Sequence, residues 1–338
     1  MRKRSTLVAA AVMGLMALPA WALDGRIVQV GYPMSATFDD TLDDTSGAQK
    51  YRLGTWVPIQ VELFSEENAP LFEGSLRVIQ PDRDGDLAVT SEPVAVRGLR
   101  RYWLYTVAAP TRDEQPFVVH VLDADGNVIT LRDSYSGKDS ERLIPSSRPL
   151  ALGTQDRVVL DISARPVSQL YRLASKDAYS ANQADRETTQ PIVIGRHAAR
   201  DLPGHRCGLD LVDVIVWDAA DPASLTDAAH QMRALTEWVY HGGILVLGVG
   251  QTWQTVQKSA LAPLLPGPLT GTQQAETLPE MATFLDSEER SASGTTDPTA
   301  LKAPITICPI ARDSLRTGSR IMDFGREASD RVLVCRRR

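Results

Sequence analysis

The chain is poor in cysteine: three residues in 338. None sits in a Cys-x-x-Cys pair, and no histidine lies at metal-ligand spacing from one. A disulfide-built scaffold and a cysteine–histidine metal site are thereby excluded. Cys207, Cys308 and Cys335 admit one disulfide with one free thiol, or three free thiols. Long apolar runs are also missing after the first two dozen residues, so the remainder offers no bilayer-spanning helix. Positive charge is in deficit, with a formal net charge of −6. No basic patch interleaves with aromatics, which argues against nucleic acid as a partner. Catalytic signatures are absent too: no Gly-x-Ser-x-Gly elbow, no His-Glu-x-x-His, no P-loop. No cofactor is expected.

What is present begins with a secretory signal. Arg2, Lys3 and Arg4 precede an apolar run from Leu7 to Leu18, and Ala20-Trp21-Ala22 fits a small-x-small cleavage site. Cleavage after Ala22 removes three positive charges and takes the net charge from −6 to −9. The mature chain is expected in the periplasm or outside the cell.

Residues 23–133 read as an antiparallel β-sandwich of immunoglobulin type. A first strand is expected over residues 26–32, and residues 39–49 read as an exposed loop. Val57, Ile59, Val61 and Leu63 alternate with Pro58, Gln60 and Glu62, as in a half-buried strand, with Pro58 favouring an edge or a strand start. Further short strands follow, and Asp125-Gly126-Asn127 marks a hairpin. The Cys–Trp–Cys pattern of antibody domains is missing. Residues 134–150 are polar and read as a linker. Residues 151–270 read as a doubly wound α/β domain, because strands alternate with helices. Its centre is one βαβ unit. A buried strand ends in Val214-Ile215-Val216-Trp217, and a helix carries Ala228, Met232, Leu235 and Val239 at helical spacing. Gly242 and Gly243 stop the helix, Gly242 with a positive φ, before a second strand, Ile244 to Leu247. A further helix is expected over residues 253–265. Residues 271–338 read as irregular. The basic ending Arg336-Arg337-Arg338 suggests truncation or a frameshift that has cost the chain a membrane anchor.

The candidate chemistry is sparse. Asp82, Asp84 and Asp86 alternate around Gly85 like the first half of a calcium loop, but position twelve counted from Asp82 is Pro93, not Glu. An Asp-Gly hairpin turn explains the same residues. Gly248-Val249-Gly250 closes a strand at the carboxyl edge of the sheet, where α/β folds bind ligands, and Asp218 and Gln251 lie beside it. A dinucleotide fingerprint there fails at Trp253. His205 and Cys207 form a nominal pair without an activating helix N-terminus. His230 and His241 flank one helix, too far apart for one metal.

The pattern from Leu211 to Trp217, then Trp238-Val239, Gly242-Gly243 and Leu245-Val246, resembles the class I glutamine amidotransferase-like fold. It is closer to bacterial envelope proteins that join a β-sandwich to such a domain. Amidotransferases of this fold use a cysteine in a glycine turn with a downstream histidine. Here the turn is Leu247-Gly248-Val249-Gly250, and no histidine follows His241. The resemblance implies a non-catalytic relative. The expectation is therefore an exported, non-enzymatic binding or assembly module whose partners are other envelope proteins. The alternatives are a hydrolase or ligand-binding enzyme using Asp218 and Gly248, and a calcium-dependent surface adhesin.

Overall fold

The computed structural model describes residues 23–35, 48–81, 86–108, 117–167, 170, 192–225, 229–275, 305–310, 314–315, 319–323 and 332–337. In chain order the strands are β1 (Leu23–Val30), β2 (Tyr32–Ser35), β3 (Ala48–Tyr51), β4 (Trp56–Ser65), β5 (Phe72–Pro81), β6 (Leu87–Val96), β7 (Gly98–Val107), β8 (Val119–Asp123), β9 (Leu131–Asp133), β10 (Asp139–Ser140) and β11 (Leu150–Ala151). They continue as β12 (Arg157–Asp161), β13 (Ile192–Arg196), β14 (Val214–Trp217), β15 (Ile244–Leu247), β16 (Gln273–Ala275), β17 (Ile305–Ile307), β18 (Ser319–Asp323) and β19 (Val332–Arg337). Two α-helices are described, α1 (Ala229–Tyr240) and α2 (Trp253–Lys258).

A five-stranded sheet, β10-β9-β1-β4-β7, faces a three-stranded one, β6-β5-β8. One core lies between them, with Ile27, Val61 and Leu104 from the first sheet and Leu76, Val78 and Val121 from the second. The sandwich is not wholly antiparallel, because β9 runs parallel to β1. β4 is a central strand, paired to β1 and β7, and not the expected edge. Its inward residues Val57, Ile59, Val61 and Leu63 are fully buried, but Gln60 and Glu62 on the other face are buried as well. Glu62 accepts hydrogen bonds from Arg26 (2.8 Å) and Arg101 (3.1 Å), and Arg101 also reaches Asp201 at 3.7 Å. A paired carboxylate tolerates burial that a lone one does not. Pro58 fits a central strand because β1 departs beside it. Its carbonyl accepts the Gly31 N–H at 2.8 Å, so its missing N–H points to where that ladder ends.

The expected doubly wound α/β domain is not what the second half forms. Strands make up 45% of the described residues and helices 18%, so the described part of the chain is built mainly of mixed β-sheet. The second sheet has seven strands in the order β11-β3-β2-β13-β12-β14-β15. Its last four are parallel, and β14, α1 and β15 make the expected βαβ unit. However, β2 pairs antiparallel to β13, β3 antiparallel to β2, and β11 parallel to β3. Two of these come from residues 23–133. The physical reason lies in the connections. After β13, Pro203, Gly204 and Gly208 hold the chain in short 3-10 turns, Ala199–Asp201 and Arg206–Leu209, where a winding helix was expected. The helix expected over 253–265 also stops at Lys258: Ser259 is extended and its hydroxyl donates to the Val256 carbonyl at 2.7 Å. Residues 134–150 do not form a free tether. Leu143 is buried and exchanges two backbone hydrogen bonds with Val119.

α1 buries Met232, Ala234, Leu235 and Trp238 on one face. Gly242 then takes a φ of +106°, a conformation side chains avoid, and the Gly243 N–H closes the cap on the Trp238 carbonyl at 3.0 Å. A Cβ at Gly243 would enter the Trp238 ring. Gly243→Ala is therefore expected to destabilise the chain by about 1–3 kcal/mol, seen as a lower melting temperature; an unchanged value would mean that the ring can move aside. Within the sandwich, Gln80 is 1% exposed and neither of its amide atoms has a partner among the described residues. Gln80→Met keeps most of the volume and removes both orphan atoms, so the urea midpoint should rise by an amount worth about 1–3 kcal/mol. A lower midpoint would contradict this.

Candidate functional site

The carboxyl ends of β13, β12, β14 and β15 lie side by side, and β12 sits where the strand order reverses. Ligands enter parallel sheets at such a point. Asp161 ends β12, is fully buried, and uses both carboxylate oxygens: Oδ1 accepts the Ser163 N–H at 3.0 Å, Oδ2 the Val167 N–H at 2.9 Å. Ser163 Oγ in turn accepts the Asp218 N–H at 2.8 Å, joining the β12 and β14 loops. Ala219 follows with a φ of +48°, the one non-glycine positive φ among the described residues. It is held there because the Ala220 N–H donates to Gly248 (3.0 Å) and the Gly248 N–H to Trp217 (2.9 Å).

Two of the residues singled out from the sequence, Asp218 and Gly248, are thus brought together. The Asp218 carboxylate lies against Gly248 so closely that any Cβ there would collide with it. The anion pocket expected above Gly248 is filled by that side chain, and the Gly248 amide is already used. Gly250 takes a φ of +39° and its carbonyl accepts the Cys308 thiol at 3.3 Å, while Gln251 is exposed in the next turn.

Open space lies one loop further out. A cavity of about 640 Å³ separates the Pro222–Leu225 turn and the first turn of α1 from α2. Leu225, Ala229 and Met232 line one wall, and Gln254, Thr255 and Lys258 the other. Neither wall was singled out from the sequence. Its only signal is that two short segments carry, respectively, small apolar and polar residues at helical spacing, and this matters only once the fold places them face to face.

The nominal Cys–His pair is disarmed. The His205 ring meets Tyr105 edge-on at 5.3 Å, and the His205 N–H donates to the Tyr105 hydroxyl at 3.2 Å. Burial, then the nearby Asp210, push the Cys207 thiol above its ordinary pKa, so the thiolate is disfavoured. Burial likewise raises Cys308. Both are free thiols; the pairing of Cys335 lies outside the described side chains. His241 Nδ1 bonds the Glu237 carbonyl at 2.7 Å, and His230 is exposed. Of the acidic triplet, Asp86 is exposed beside the Pro81–Leu87 pair that closes the β5–β6 hairpin, while Asp82 and Asp84 lie outside the described residues. Among the described residues no three His, Cys, Asp or Glu side chains gather as a metal site, and no helix is long and apolar enough to cross a membrane.

No protein-family model and no curated protein matches this chain. Among solved structures, it is similar to an alkylpurine DNA glycosylase of Pseudomonas fluorescens bound to DNA containing an abasic site analogue, at 11% identity and a TM-score of 0.20, covering 38% of this chain and 31% of that one. It is also similar to a putative β-galactosidase of Bacteroides fragilis, at 13% identity and a TM-score of 0.19, covering 66% of this chain and 35% of that one. The chain thus spans about a third of either structure's length. Likeness this remote carries no argument about activity and gives no support to an amidotransferase-like domain.

Tyr32 anchors the seam beside this region. It is fully buried, donates its hydroxyl proton to the Gly208 carbonyl at 2.9 Å, and meets the His197 ring edge-on at 5.4 Å. Burial holds its pKa well above the usual tyrosine value, with smaller contributions from Tyr105 and Cys207. A raised folded pKa means that its stability contribution is complete below the unfolded pKa of about 10 and is lost as pH rises above it. Tyr32→Phe should cost about 0.5–1.5 kcal/mol near neutral pH but flatten the loss of stability above pH ~10. Equal alkaline sensitivity in the variant and wild type would assign that loss to another group.

Proposed function

We propose that this chain is an exported, non-enzymatic binding or assembly module of the bacterial cell envelope, whose partners are other envelope proteins and not nucleic acid. The secretory start and the acidic balance support the location and the partner class. The observation that carries the non-enzymatic part is that the groups a hydrolase would need are already committed. Ser163 Oγ accepts a backbone N–H from Asp218, Asp161 caps two amides, and the Cys207 thiol is held protonated beside a histidine that faces a tyrosine. A nucleophile needs a neighbouring base within hydrogen-bond reach or a lowered pKa, and these groups offer neither.

A screen of the purified mature chain against ester, amide and glutamine substrates tests this reading. Turnover should not exceed that of buffer. Turnover that disappears in Ser163→Ala or Cys207→Ser would overturn it.

A further inference from the structure

The cavity between the Pro222–Leu225 turn, α1 and α2 has a chemistry of its own. Its volume of about 640 Å³ falls within the range of roughly 300–1,000 Å³ typical of small-molecule sites. Its two walls differ in kind. Leu225 and Met232 form a floor that is almost wholly buried, extended by Pro222, Ala223 and Ala229. The opposite wall is polar. Gln254 and Lys258 lie four residues apart on α2, hence on one helical face, with Thr255 beside them. Ser259 is also in the lining, but its hydroxyl is spent on the Val256 carbonyl and the Leu261 amide. The Lys258 ammonium forms no ion pair with the described residues, and no Asp or Glu among the described residues lines the cavity. In a chain with 42 acidic and 36 basic residues, the described lining carries one cation and no carboxylate.

We infer that this cavity binds a small anionic amphiphile, a single apolar chain ending in a carboxylate. The chain lies over Leu225 and Met232 against the exposed methyls of Ala223, Ala229 and Ala260, so that its methylenes leave water. The carboxylate meets the Lys258 ammonium and the Thr255 hydroxyl, and Gln254 donates its amide N–H. Charge-assisted hydrogen bonds of this kind give the site its preference for an anion over a neutral head. The inference deepens the binding reading and rests on it. A substrate screen and a ligand titration fail separately, so the two remain distinguishable.

The test is titration calorimetry of the mature chain at pH 8 with dodecanoate, dodecanol and dodecyltrimethylammonium, each below its micelle threshold. Dodecanoate should bind saturably at one site, dodecanol more weakly, and the cationic amphiphile least. Lys258→Gln, at an exposed position, should weaken dodecanoate by about tenfold or more and leave dodecanol unchanged. Ala229→Trp, also at an exposed position, should fill the cavity and abolish both, with the melting temperature confirming that the variant folds. Equal affinity for all three amphiphiles, no effect of Lys258→Gln, or full binding by folded Ala229→Trp would each overturn the inference.

Discussion

One extended segment serves two sheets, and the rest of the structure depends on how it crosses between them. β1 belongs to the sandwich and β2 to the seven-stranded sheet, with Gly31 alone between them. Gly31 takes a φ of +66°, and a Cβ there would run into the Lys50 carbonyl. Only glycine satisfies both conditions. The crossing would strand backbone groups, and two glutamines prevent it. Gln29 Nε2 donates to the Gly31 carbonyl at 2.6 Å; Gln49 Oε1 accepts the Val30 N–H at 3.1 Å and its Nε2 donates to the Val28 carbonyl at 3.0 Å. Val30 then lies in the sandwich core and Tyr32, two residues on, in the core of the other sheet. A single chain turn thus ties two hydrophobic cores together without a linker.

The seam that forms around this crossing is polar at its rim and aromatic at its centre. Asp213 accepts from Arg52 (3.1 Å), Arg157 (3.2 Å) and the Val158 N–H (2.8 Å), and Arg52 also donates to the Asp156 carbonyl at 2.7 Å. These groups are partly exposed, so each ion pair contributes little on its own. Their role is to fix register, since Arg52 joins the end of β3 to the amino ends of both β12 and β14. The centre is tighter. A Cβ at Gly208 would lie 2.5 Å from Pro203 and 2.8 Å from Tyr105, so the 3-10 turn can approach the sandwich only because that position is bare. Close approach also lets Tyr32 and Tyr105 place both hydroxyls on the 205–208 turn. The same burial that raises their pKa values excludes the water that would otherwise compete for those bonds.

This seam explains which parts of the fold were legible in the sequence. β4, β5, β7 and β12 to β15 announce themselves through alternation or short β-branched runs, and those signals are local. Gly31 does not: residues 26–32 read as one strand because a glycine among apolar residues has no local signature of a sheet change. β3 was hidden in a polar stretch, and its pairing with β11 depends on a chain segment about a hundred residues away. The outer face of β4 looked solvent-facing because Gln60 and Glu62 are polar; only the arrival of Arg101 and residues 199–209 buries them. The helix expected over 253–265 was read too long for a related reason. Apolar spacing continues past Lys258, but the Ser259 hydroxyl competes locally for the backbone and wins.

The candidate site shows the same dependence on distant contacts. Asp218 and Gly248 were legible as neighbours at the carboxyl edge, since parallel strands in register put them there. Their consequence was not legible. The positive φ at Ala219 turns the β14 loop back over the edge, and it is held in place by two backbone bonds between Gly248 and Trp217 and Ala220 and by the Asp218 N–H donating to Ser163 Oγ. A residue kept in that conformation costs free energy that its surroundings must offset. Here they do so by closing the crevice, with Asp218 lodged on the bare Gly248. The loop that seals the edge also carries Pro222 and Leu225 outward, and α2 begins only after Gly250 has turned the other way. The diverging loops open the cavity between them. The open space therefore lies about one turn away from the strand ends, where short apolar and polar segments with no motif of their own meet face to face.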